Sequence, residues 1–288
     1  MNKNAIVILA NNLDFLQVQF DNLPTLSNCD YIICTEDRIG DADKVDKLRA
    51  IVGNDTQILL ATDIVNEFAK IQDTPFLHSY TMGMNILLQW YMFTHTDYDK
   101  ILFTEEDVIL TEGVSDIFNE DHCLFYTWSM SSQTRDYAKL NASVKAYVDE
   151  FSRMYDLHID ESNYLDLWKN THISSGQRLY VRDTFDMAYY VDSLCKFFNS
   201  QIFENCWLNR KTHRTGYLDE RFEGFYAYKT GILNNDIKPY TLLEIAKPEK
   251  VDIEKYTKLK RCKGIWHNAT VNQKANWYKA LKKHHKIK

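Results

Sequence analysis

The run Ala5-Ile-Val-Ile-Leu-Ala10 limits what this chain can fold into more than any other stretch, because consecutive apolar residues leave no polar side to turn toward water. Such a run fits a strand covered on both faces, as in a parallel sheet, and falls well short of the roughly 20 apolar residues that span a bilayer. A second run, Tyr31-Ile-Ile-Cys34, ends at Thr35-Glu36-Asp37, and Gln57 to Leu60 reads as a third strand. Between the first two, Leu13 to Leu23 carries apolar residues at helical spacing. Strand, helix and strand in that order form a βαβ unit, which predicts an α/β fold with ligands at the carboxyl ends of the strands. The loop at Ala10-Asn11-Asn12 is then placed to approach a nucleotide.

Further along, Phe76, Leu77, Tyr80, Met84, Leu87, Leu88 and Tyr91 recur at helical spacing and predict a helix packed on the sheet. Leu124 to Trp128 reads as another strand. Leu140, Val144, Val148, Phe151 and Tyr155 then mark an amphipathic helix inside a polar stretch of about 130–170, read as an insertion on the acceptor side. Only 9 glycines occur, none in a GxGxxG or GxxxxGK[ST] loop, which disfavours dinucleotide and P-loop chemistry.

Tyr98 to Phe118 concentrates the chemistry. Ile101-Leu-Phe103 runs as a buried strand into Glu105-Glu106-Asp107, and Val108-Ile-Leu110 reads as its continuation. In an extended chain alternate side chains share a face, so Glu105 and Asp107 are expected to point the same way. Two hard oxygen donors on one face suit Mg²⁺ or Mn²⁺ carrying a phosphate-bearing ligand. The acids alone leave a second reading open, a solvated turn between two strands.

Two later segments bear on that choice. His172-Ile-Ser-Ser-Gly176-Gln177 sets a small turn before an apolar strand, where glycine permits close backbone approach. Gly264-Ile-Trp-His267 ends another apolar stretch, followed by Lys274 and Trp277. A histidine in that position is either structural or a metal ligand. Between these segments, Asp219, Glu220 and Glu223 are either solvated loop acids or acceptor-side carboxylates, of which an inverting transferase needs one as general base and a retaining one none.

The order of these segments resembles the GT-A glycosyltransferases, and family eight in particular, with a tyrosine-aspartate-lysine lead, a strand, an aspartate-x-aspartate motif and a terminal histidine segment. Here Glu105 stands where the pattern has its first aspartate. The resemblance covers roughly 1–110 and 170–280. It implies an α/β, Rossmann-like GT-A mixed sheet flanked by helices that binds a nucleotide-diphosphate sugar such as a UDP-sugar. It further implies that Glu105, Asp107 and His267 hold Mn²⁺ (or Mg²⁺), that Lys274 meets the diphosphate, and that Ala10, Asn11, Asn12, Gly176 and Gln177 lie along the donor. Asp219 and Glu220 are the candidate catalytic acids. An imidazole beside two carboxylates favours Mn²⁺.

Net charge is −6, yet from Lys255 onward there are eleven Lys or Arg and no acid, leaving 23 basic against 40 acidic side chains before it. The expected organisation is a catalytic domain over 1–254 and a basic segment over 255–288. That segment is either a solubilising terminus or a contact for an anionic acceptor such as modified DNA or a glycolipid. Six cysteines without a CxxC pair read as reduced thiols, and the absence of a long apolar stretch predicts a cytoplasmic protein, peripheral at a membrane or on nucleic acid if the basic end binds there. The alternative to a transferase is a non-catalytic protein on a similar fold that binds nucleic acid or a membrane surface.

Overall fold

The computed structural model describes residues 3–38, 42–74, 77–79, 84–106, 108–110, 112–127, 142–160, 162–164, 167, 171, 173–201, 203–204, 218–232, 265–266, 275 and 279. Strands β1 (Asn4–Leu9), β2 (Cys29–Thr35) and β3 (Gln57–Leu60) alternate with helices α1 (Leu13–Phe20), α2 (Lys44–Val52) and α3 (Ala61–Ala69). Helix α4 (Met84–His95) leads into β4 (Lys100–Glu105), followed by β5 (Ile109–Leu110), β6 (Leu124–Thr127), α5 (Ala142–Met154) and β7 (Ile173–Val181). Helices α6 (Met187–Phe198) and α7 (Leu218–Lys229) and strand β8 (Ile265–Trp266) complete the described elements.

Six strands form one mixed sheet in the order β3-β2-β1-β4-β7-β6, and β5 and β8 form a separate pair. Strands β1, β2, β3 and β4 run parallel, whereas β7 is antiparallel to both β4 and β6. The α/β expectation therefore holds, as a mixed sheet flanked by helices. Ala5 through Ala10 are all buried, as a strand covered on both faces requires. Strand order reverses beside β1: the chain first moves outward through β2 and β3, then returns to lay β4 on the opposite side of β1. That reversal opens a crevice at the carboxyl ends of β1 and β4, the place where open α/β sheets bind ligands.

Helix α5, read as part of an insertion, sends Val148 and Phe151 into the common core, and Tyr155 directly after it joins them. Phe151 stacks on Phe197 and Phe225, and the Tyr155 hydroxyl donates to the Phe222 carbonyl at 2.8 Å. The tyrosine-aspartate-lysine lead into β4 is also structural. Tyr98 donates to Asp30 at 2.7 Å, Asp99 accepts from the Lys3 N–H at 2.8 Å, and the Lys100 ammonium donates to the carbonyls of Phe118 and Glu120. Among the described residues no helix is long and apolar enough to cross a membrane. The described cysteines Cys29, Cys34, Cys123 and Cys195 are free thiols.

Candidate functional site

Three of the segments singled out in the sequence lie along one edge of the sheet, after β1, after β4 and within β7. Register in β1 and β4 sets Leu9 opposite Glu105, so the Ala10-Asn11-Asn12 loop and the acidic triplet leave the sheet side by side. On the far side of β4, antiparallel pairing sets Gln177 opposite Thr104, and Gly176 is the next residue toward Glu105's end of the sheet.

The loop after β1 is held by its own hydrogen bonds. Ala10 is buried; its N–H donates to the Cys34 carbonyl at 2.8 Å and its carbonyl accepts from the Thr35 hydroxyl at 2.7 Å. The Asn11 side chain accepts from the Glu36 N–H at 3.3 Å. Asn12 caps α1, its side-chain oxygen accepting from the N–H groups of Asp14 and Phe15 at 3.0 and 3.2 Å. An asparagine just before an apolar helical pattern is the sequence signal for such a cap.

The course of the chain after β4 departs from expectation. Strand β4 ends at Glu105, where the Glu105 carbonyl accepts from the Val108 N–H at 3.2 Å, so the chain turns; β5 belongs to the other sheet and does not continue β4. Val108 to Leu110 are therefore not the continuation of β4 that the sequence suggests, while the expected common facing of Glu105 and Asp107 involves Asp107, which lies outside the described residues. Glu105 itself shares a face with Phe103 and Ile101 and is half-buried. Glu106 turns back to the other loop: its carboxylate accepts from the Asn12 N–H at 3.0 Å while its own N–H donates to the Leu9 carbonyl at 3.1 Å.

Strand β5 pairs antiparallel with β8, Ile109 opposite Trp266 and Leu110 opposite Ile265. The acidic turn precedes β5 by two residues in the chain and His267 follows β8 directly, so the pairing joins the two segments that the sequence marks as metal-binding. Asp107, His267 and Lys274 themselves lie outside the described residues. Among the described residues no group of three His, Cys, Asp or Glu side chains is poised to hold a metal. The donor chemistry fits a divalent ion only with Asp107 and His267 added to Glu105.

At the end of β2 the Arg38 guanidinium grips Glu36 through two hydrogen bonds of 2.7 and 2.6 Å and donates to the His78 carbonyl at 3.2 Å. Asp37 accepts from the Thr62 N–H at 2.9 Å. Burial, with Glu36 and Asp37 nearby, pushes the Cys34 thiol up, so it stands neutral beneath this polar rim.

Asp219 and Glu220 lie in the first turn of α7 and Gln177 in β7. Glu223 is not a loop acid. It is fully buried and ion-paired with Arg178 of β7, a pair the sequence advertised only as a lone arginine inside an apolar strand.

Neither the protein-family models nor the curated proteins contain a match to the chain, so the resemblance to family eight rests on the motifs alone. Among solved structures the chain is similar to mouse xyloside xylosyltransferase 1 in its apo form, with 10% sequence identity over 79% of this chain and 82% of that one and a TM-score of 0.44. Likeness at that level says nothing of what this chain binds.

Proposed function

We propose that this chain is a metal-dependent glycosyltransferase of GT-A type, close to family eight, that moves a sugar from a nucleoside-diphosphate donor to an acceptor hydroxyl. The observation that supports the reading is that the Asn11-Asn12 loop and Glu105 leave adjacent strands at the strand-order reversal, with Gln177 of β7 on the other side of β4, while β5 after the acidic triplet pairs with β8, which precedes His267 in the chain. In this reading Glu105, Asp107 and His267 hold Mn²⁺ or Mg²⁺, which when bound neutralises charge on the departing diphosphate. Lys274 adds a point charge to that diphosphate. Ala10, Asn11, Asn12, Gly176 and Gln177 line the donor through backbone and short polar groups.

In transfer the bond between the anomeric carbon and the diphosphate oxygen breaks and one to the acceptor oxygen forms. If the reaction inverts configuration, Asp219 or Glu220 takes the acceptor proton. The basic segment after Glu254 supports an anionic acceptor, a glycolipid or modified DNA, and makes its binding salt-sensitive. A panel of nucleotide sugars read by diphosphate release, with and without Mn²⁺, tests the reading. Release from one donor class that needs the metal supports it, and no release from any donor contradicts it.

A further inference from the structure

Strand β7 carries a charge where a sheet interior ordinarily has none. Arg178 pairs with Phe103 on one side and Phe125 on the other, and its side chain is 0% exposed. An arginine there is tolerable only with a counter-charge, since an uncompensated buried ion costs several kcal/mol. Glu223 of α7 supplies it, likewise 0% exposed. Its other oxygen takes the hydroxyls of Tyr180 and Tyr190 at 3.0 and 3.1 Å, and both hydroxyls also reach the Gln89 carbonyl oxygen at 2.5 and 2.7 Å. Burial holds the Tyr180 hydroxyl protonated well above the ordinary range, so it remains a donor. One ion pair therefore ties β7 to α4, α6 and α7.

The positions of Arg178 and Glu223 in their elements give this pair a consequence for the site. The Arg221 guanidinium donates to the Thr171 hydroxyl at 3.1 Å, and a Cβ on Gly224 would lie 1.7 Å from the Thr171 carbonyl oxygen, so α7 packs closely on Thr171, two residues before β7 begins. Further on, the Tyr226 hydroxyl donates to the carbonyl of Asp186, which follows β7's far end. Asp219 and Glu220 lie one turn before Glu223 in α7, and Gln177 directly precedes Arg178 in β7, so the ion pair joins these two stretches of chain.

We infer that Arg178 and Glu223 form a positioning pair that makes the start of β7 and the first turn of α7 one rigid unit, holding Asp219 and Glu220 in fixed relation to the Gly176-Gln177 backbone. What the unit serves, the approach of the acceptor to the donor sugar, rests on the transferase reading; that the unit exists does not. Neither residue touches substrate. Their effect passes through the helix turn.

The test compares the wild-type chain with Glu223→Gln and with the apolar double variant Arg178→Met/Glu223→Leu, following thermal unfolding, amide hydrogen exchange, transfer kinetics and calorimetric binding of UDP with Mn²⁺. Replacing a buried ion pair by apolar residues of similar volume is often neutral or stabilising, so the double variant should regain the stability that Glu223→Gln loses. In both variants exchange across 218–224 should rise about tenfold relative to α2, the signature of local rather than global opening. The kcat for transfer should fall by about tenfold or more, as misplaced acids do, while UDP binding stays within about twofold. Exchange that rises equally in α2, or wild-type exchange and kcat in a stable double variant, would reduce the pair to packing and overturn the inference. A wild-type chain that turns over no donor contradicts the transferase reading instead, and the exchange ratio still decides the positioning claim.

Discussion

Glu106 accepts a hydrogen bond from the main-chain N–H of Asn12 at 3.0 Å, closing the acidic turn after β4 onto the cap of α1 across 94 residues of sequence. The middle acid of the triplet thus serves as a latch between the two loops that follow β1 and β4. Glu106→Ala should leave the fold intact and weaken nucleoside-diphosphate binding by about 1–3 kcal/mol, the scale for a hydrogen bond to a charged group. Glu106→Gln keeps an acceptor in place and should lose less. Calorimetry with UDP and Mn²⁺ checks both, and equal affinity in all three proteins would remove the latch from the account.

The β-runs of the first sixty residues were legible because their signal is local: six apolar residues in a row, followed by an Asn-Asn break, fit a covered strand. Glu105 at the end of β4 and the Asn11-Asn12 loop at the end of β1 followed from the same logic. The turn at Glu105–Val108 was not legible. Val108, Ile109 and Leu110 look like continued strand, and what diverts β5 is pairing with β8, more than 150 residues away, which leaves no mark on local periodicity. Glu223 was misread for a similar reason. Its acidic neighbours suggest a solvated segment, and only the distant Arg178 explains a carboxylate inside the core.

Gly224 is required by close packing. A Cβ there would lie 1.7 Å from the Thr171 carbonyl oxygen, which is backbone and cannot swing aside. Gly224→Ala should cost roughly 1–3 kcal/mol or more, as overpacking does. Urea denaturation reads the loss directly; an unchanged midpoint would mean that α7 does not sit against Thr171.

The His267 and Lys274 assignments separate by ligand. His267→Ala should weaken Mn²⁺ binding, whereas Lys274→Ala should leave the ion alone and weaken UDP binding by about 1–3 kcal/mol. Titrations with the metal by itself and then with the nucleotide distinguish the two. Unchanged binding in both variants would return this segment to a structural role.

Alkaline pH should destabilise the protein. Burial pushes the Cys29 thiol up from 9.0 to about 12 and raises the hydroxyls of Tyr155 and Tyr180 well above 10.0, so the unfolded chain ionises first. Stability from these groups is fully present below the unfolded values and is lost as pH climbs past them, at up to about 1.4 kcal/mol per pH unit for each fully buried group. Urea midpoints measured upward from pH 8 should hold nearly level to about pH 9 and then fall. Tyr155→Phe, which also forfeits the bond to the Phe222 carbonyl, should start lower and fall less steeply.

The most direct measurement is diphosphate release from the preferred nucleotide sugar by the wild-type chain and by Asp107→Asn, each with Mn²⁺ and with excess chelator. The metal-centred account predicts release by the wild-type chain only when the ion is present, and none by a variant that unfolds at the wild-type temperature. Undiminished release in excess chelator, or from Asp107→Asn, would contradict it.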